Sequence, residues 1–200
     1  MRAVRILAAL VAVAAAGCVE TKNPPFLPDD LVFEPGLLGD WEEVTTLPKA
    51  ADDPVPPTLR RVEADKGMSY RINGNSDPKE WTPFSLFKLG DRYFIAIHDK
   101  KSYGVCRVIG SGDTLRFWSL DPLAVLADDP GRARHETSNE FGAGTVLTGT
   151  TAEVRAFLTR HSDDPDVWHD TPVVYRRKGG FKLTTAGLTG RKQRTLDYWA

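Results

Sequence analysis

The stretch FSLFKLGDRYFIAIHD, residues 84–99, carries two short runs rich in aromatic and branched apolar side chains on either side of Gly90-Asp91. Runs of this length, broken by a Gly-Asp pair, read as two antiparallel strands joined by a tight turn. The same period-two pattern continues in both directions. It predicts strands at 81–88 and 93–98, preceded by 41–45, 59–64 and 68–73 and followed by 104–109 and 114–120. Turn signals at Lys66-Gly67, Gly74-Asn75, Gly90-Asp91 and Ser111-Gly112-Asp113 separate most of them, and a Pro- and Asp-rich loop at 50–57 separates the first two. Strands recurring about every ten residues with short connections predict an antiparallel meander, hence a barrel or sandwich.

Two helices are expected within this mainly β (α+β) chain. Asp121-Pro122 is a helix start, an acidic N-cap followed by proline in the first turn, with Leu123 and Leu126 on one face. Thr150 and Glu153 have capping-box spacing, and Val154, Phe157, Leu158 and His161 continue at helical intervals. Residues 145–148 and 173–177 read as further strands.

The N-terminus has a different character. Arg2 and Arg5 precede an apolar run at 6–16, which falls short of the roughly 20 residues a membrane-spanning helix needs and matches a signal-peptide core. It closes on Ala15-Ala16-Gly17-Cys18, a run that resembles the bacterial lipobox, in which small residues precede a lipid-modified cysteine. That resemblance implies export, removal of residues 1–17 and acylation of Cys18. With Val19 rather than Asp next, it also implies passage to the outer membrane in a Gram-negative cell. Residues 18–36, with Pro24, Pro25, Pro28 and Pro35 among charges, are expected to form the anchor and an extended tether. Residues 37–177 form the domain, and 178–200 a basic, Gly-containing tail.

Four segments, LLGDWEE at 37–43, FSLFKLGDRYFIAIHD at 84–99, GDTLRFWSLDPLAVL at 112–126 and TVLTGTTAEVRAFLTRH at 145–161, resemble in order and chemistry uncharacterised exported bacterial lipoproteins with a lipocalin-like domain. Gly39-Asp40-Trp41 is similar to the Gly-x-Trp that opens the first lipocalin strand. The resemblance implies a lipocalin-like barrel or half-barrel with two added helices. It also implies that Trp41 closes one end beneath a basic residue of the last strand, Arg176 or Arg177. It implies no particular activity.

Composition narrows the function classes. A hydrophobic fraction of 41% and a charged fraction of 26% are those of a folded globular chain. The net charge of −1, which becomes −3 without Arg2 and Arg5, argues against nucleic-acid binding. Two cysteines, one of them Cys18, leave Cys106 unpaired and expected as a small buried hydrophobe. Residues 20–53 hold nine acids against two bases, and 176–200 seven bases against one acid. Such a basic tail is suited to anionic head groups or an acidic envelope protein, though a solvated tail is the plainer expectation.

No nucleophile elbow, Walker loop, dinucleotide fingerprint or Cys-x-x-Cys is present, and no cofactor is expected. His161, Asp163, Asp164, Asp166, His169 and Asp170 form the densest set of potential metal ligands. Their spacing matches neither a zincin helix nor an EF-hand, so a helix end and a solvated acidic loop are expected there. His98-Asp99, at a strand end, and His135-Glu136, in a loop beside Arg132 and Arg134, are further acid–base candidates. Strand alternation places Trp81 and Ser85 opposite Phe84, and Phe117 opposite Trp118. The aromatic residues Trp41, Trp81, Phe84, Phe87, Phe94, Phe117 and Trp118 therefore cannot all line one cavity, and a mostly filled interior is expected. The leading expectation is a membrane-anchored, non-enzymatic binding or envelope module. The alternatives are a carrier of an apolar small molecule and a hydrolase using His98 or the 161–170 loop.

Overall fold

A computed structural model describes residues 19–44, 59–73, 80–128, 133–138 and 142–178, with the backbone alone for residue 59 and for the described part of 133–144. Its centre is a closed eight-stranded antiparallel barrel of β2 (Gly39–Val44), β3 (Leu59–Ala64), β4 (Ser69–Asn73), β5 (Trp81–Leu89), β6 (Arg92–His98), β7 (Tyr103–Ser111), β8 (Thr114–Ser119) and β11 (Val173–Arg177). Each strand pairs with its sequence neighbour from β2 to β8, and β11 then bridges β8 and β2. The meander thus closes without a free edge, the lipocalin-like arrangement expected from the sequence.

The hairpin at 84–99 turns on Gly90, whose φ of 58° is the left-handed conformation that glycine adopts without strain. Its strands carry two cores at once. Phe84, Leu86 and Ile95 belong to the cluster inside the barrel. Phe87, Leu89, Phe94 and Ala96 belong to a second cluster on the outer wall. This split follows from the period of two, and it explains why both faces of these strands read as apolar.

The outer cluster is covered by the long excursion between β8 and β11. The excursion comprises α1 (Pro122–Asp128), β9 (Ala133–Ser138), β10 (Gly142–Leu147) and α2 (Thr151–Arg160). At the start of α1, Asp121 Oδ1 accepts from the backbone N–H groups of Leu123 and Ala124. At the start of α2, Thr150 and Glu153 form the reciprocal capping box. Val154, Phe157 and Leu158 are buried against the β5–β6 wall. His135-Glu136, expected in a loop, lies in β9, paired with β10 through His135 opposite Thr145 and Glu136 opposite Gly144; their side chains fall outside the described residues.

The stretch expected to be a tether is laid onto the fold from its second residue. β1 (Val19–Thr21) pairs antiparallel with the first two residues of β7 and parallel with β10. Val19 is 1% exposed and Thr21 is fully buried. Beyond it, Phe26 packs on Phe87 with ring centroids 5.4 Å apart, Asp30 pairs with Arg155 of α2 at 2.7 Å, and the Val32 N–H donates to Leu86 O at 3.0 Å. The prolines lower the entropy of an ordered strap here rather than extending a free one. The loop at 50–57, the turn at Gly74-Asn75 and the tail from 179 lie outside the described residues.

Candidate functional site: the barrel interior

One end of the barrel is sealed. A 3₁₀ turn at Pro35–Leu37 crosses it, with Leu37 3% exposed. The Trp41 indole N–H donates to Leu37 O at 2.9 Å, and the guanidinium of Arg177 lies over the Trp41 ring, 4.4 Å from its centroid. Arg177 also donates from Nη1 to Leu38 O at 2.7 Å and from Nη2 to Gly36 O. Arg177 therefore takes the role the resemblance offered to Arg176 or Arg177, while Arg176 is exposed. Gly39 explains the glycine of the motif. Its φ is 122°, and a Cβ there would stand 3.0 Å from Arg177 Nη1. Beside this seal, fully buried Tyr70 stacks between Phe33 and Phe84, with centroids 5.2 and 5.0 Å away. Its hydroxyl donates to Glu34 O and accepts from Glu34 N–H. Burial pushes that hydroxyl up to about 12, so it is neutral.

The described residues do not fill the other end. A cavity of about 140 Å³ occupies the interior, and all eight barrel strands contribute to its wall. Leu37 and Trp41 line it at the seal; Ile97, 39% exposed, and Val173, at the start of β11, line it at the mouth. Of the aromatic residues named from sequence, Trp41, Phe84 and Phe117 line the cavity, whereas Phe87 and Phe94 sit in the outer cluster. On the outer wall, Trp81 lies beneath the guanidinium of Arg71, and Trp118 beneath that of Arg107. Cys106 is half-buried on the cavity wall rather than sealed in a core.

The polar groups of this wall are few. Among the described residues they are Arg60, Tyr175, Ser119 and Cys106, besides the Trp41 indole. Arg60 Nη1 donates to Asn73 O at 3.2 Å, and its Nε is buried with no hydrogen-bond partner. The Tyr175 hydroxyl donates to Glu43 Oε2 at 3.3 Å. Burial, reinforced by the Glu43 charge, pushes it up to about 12, so it too stays a neutral donor. Sequence reading passed over Arg60 because a charged strand residue reads as solvent-facing. The signal was its alternation with Val62, which places both on one face.

The other candidates are built into the scaffold. His161, 7% exposed, caps α2 and lies between Asp164 (Nδ1 to Oδ2, 3.1 Å) and Asp128 (Nε2 to Oδ2, 3.0 Å). Asp163 is held by Arg92 at 2.7 and 2.8 Å, and His169 faces Asp121 at 3.8 Å. Asp166 and Asp170 are exposed. These groups are thus divided among separate partners, and among the described residues no three of them converge as a metal site. The 161–170 segment instead buries Trp168, whose indole donates to His161 O at 2.7 Å. Arg107 lies across the Trp118 and Trp168 rings, 4.9 and 5.3 Å from their centroids, and donates to Ser162 O. His98 Nε2 meets Ser85 Oγ at 3.0 Å on the outer wall. Burial holds the imidazole below its usual value, the state a general base requires. Ser85, however, is 1% exposed and gives a substrate no approach.

Set against known proteins, the chain matches no family model, no curated protein and no solved structure.

Proposed function

We propose that this protein is a lipid-anchored, non-enzymatic binding module of the bacterial envelope whose barrel receives a small apolar ligand. The observation that carries the reading is the cavity left at one end of an otherwise packed barrel. A dry apolar cavity of roughly 150 Å³ takes a benzene-sized guest. This one therefore suits a single ring or a short branched chain, and it is far too small to enclose a haem or a whole retinoid. Acylation of Cys18 supplies the anchor. Because Val19 is already buried in β1, such an anchor leaves no slack, and the β1–β7 corner of the domain lies against the head groups.

The ligand test uses the full exported chain carrying Cys18→Ser, purified without detergent, since detergent is itself an apolar guest. Single-ring probes, charged and uncharged, are titrated while tryptophan emission and melting temperature are followed. A saturable response with a rise in melting temperature is expected for at least one of them. No response to any would overturn the cavity reading. For the anchor, Cys18→Ser is expected to move the protein to the soluble fraction, and retention after a high-salt wash would overturn it.

A further inference from the structure

The cavity wall is asymmetric in its chemistry. Apart from Trp41, whose N–H is spent on Leu37 O, its polar side chains are the Arg60 guanidinium, the hydroxyls of Tyr175 and Ser119, and the Cys106 thiol. The Tyr175 hydroxyl proton is spent on Glu43, and the only full charge among these lining residues, that of Arg60, is positive. No carboxylate is among the lining residues. Glu43 stands outside the lining and is engaged by the Tyr175 hydroxyl, which Arg60 also contacts. Among the described residues Arg60 meets the Asn73 carbonyl and the Tyr175 hydroxyl but no carboxylate directly, and its Nε has no acceptor. A guanidinium beside an apolar void with no carboxylate in direct contact is costly unless something supplies one.

We propose that the cavity selects a small organic monoanion, a carboxylate on a single ring or short branched chain, with its charge against Arg60 and its apolar body between Phe84, Ile95 and Leu115. This rests on the barrel being a ligand site. The guanidinium provides paired N–H donors of the geometry a carboxylate accepts. The apolar lining and the size of the void exclude heavily hydroxylated or polyanionic guests, whose extra polar groups would be left without partners.

The experiment compares three probes of matched shape, benzoate, toluene and benzylamine, on the full chain carrying Cys18→Ser, by calorimetric titration. Benzoate is expected to bind at least about tenfold more tightly than either of the others, the effect of one charge-assisted hydrogen bond. Arg60→Met keeps an apolar stem of similar reach. It is expected to weaken benzoate by about tenfold or more while toluene binds as before. Toluene or benzylamine binding as tightly as benzoate would overturn the anion proposal and leave the cavity reading standing. So would unchanged benzoate affinity in Arg60→Met. Failure of all three to bind would overturn the cavity reading itself. The comparison among probes on the unsubstituted cavity needs no Arg60 variant, so the proposal stays testable if Arg60→Met does not fold.

Discussion

The two ends of the barrel are made from the same eight strands and serve opposite purposes. At the sealed end, polar groups are spent on the protein itself. Arg177 covers Trp41 and holds two carbonyls, Trp41 holds a third, and Tyr70 is stacked on both faces. On the cavity wall, Arg60 occupies a comparable inward position, directly opposite Trp41 in the β2–β3 register as Arg177 is in the β2–β11 register, yet leaves its Nε without an acceptor. Two inward arginines in one small barrel thus differ in how fully their hydrogen-bonding capacity is used. Satisfied polar groups rigidify a core, whereas unsatisfied ones mark a place where a partner is missing.

The sharpest way to break this contrast is at Trp41. Truncation to alanine removes a 3%-exposed indole, its bond to Leu37 O and the surface on which Arg177 rests. Trp41→Ala is expected to lower unfolding free energy by about 3–5 kcal/mol in denaturant titration. A loss under roughly 1 kcal/mol would mean that this end is not the structural one. Arg177→Met, which keeps the stem but strips the hydrogen bonds to Leu38 O and Gly36 O, is expected to cost about 2 kcal/mol by the same measurement.

Much of this end was legible in the sequence. Gly39-Asp40-Trp41 announced the strand that starts there, and the capping spacing of Thr150 and Glu153 announced α2. Strand alternation placed Phe117 and Trp118 on opposite faces, where they are found. What was illegible depends on partners far along the chain. Val19–Thr21 is three residues long, too short to show a period, and becomes a strand only because residues 103–104 and 145–147 come to meet it. The prolines around it describe an extended backbone equally well whether it is free or docked. Arg60 was missed for a related reason: whether an inward arginine is satisfied or waiting depends on the register of two neighbouring strands. The 161–170 acids looked like a cluster in sequence. In space they are drawn apart by Arg92, His161 and Asp121.

A smaller effect separates the outer wall from both ends. His98 is held below its usual value of 6.5 by burial among Ser85, Phe26 and Tyr103, with the charge of Asp65 pulling weakly the other way. The unfolded chain therefore binds more protons than the folded one once the pH drops below 6.5, and stability falls as pH falls through that window. Asp40, Asp163 and Asp164 are shifted down from 3.8. Their contributions are present above that value and are lost only in stronger acid. Stability measured from pH 7 to about 5 is thus expected to decline in the native chain and to decline less in His98→Gln, which keeps a neutral partner for Ser85. An unchanged slope in the variant would remove His98 from the account.

The last and smallest expected effect tests the comparison itself, using one substitution at a packed and at a cavity-lining interior position. Val108 is 2% exposed in the interior cluster and does not line the cavity; Val173 does line it, at the mouth. Phenylalanine at 108 must displace neighbours that already touch, and overpacking of this kind costs about 1–3 kcal/mol. Phenylalanine at 173 has space in front of it and exchanges cavity surface for buried ring. Its stability is expected to stay within about 1 kcal/mol of the native chain, or to rise, because filling a void recovers lost contacts. Saturable binding of single-ring probes should disappear in Val173→Phe while the fold survives. Equal destabilisation at the two sites would mean that the interior is packed from end to end. In that case the asymmetry between the two arginines would have nothing to do with a ligand.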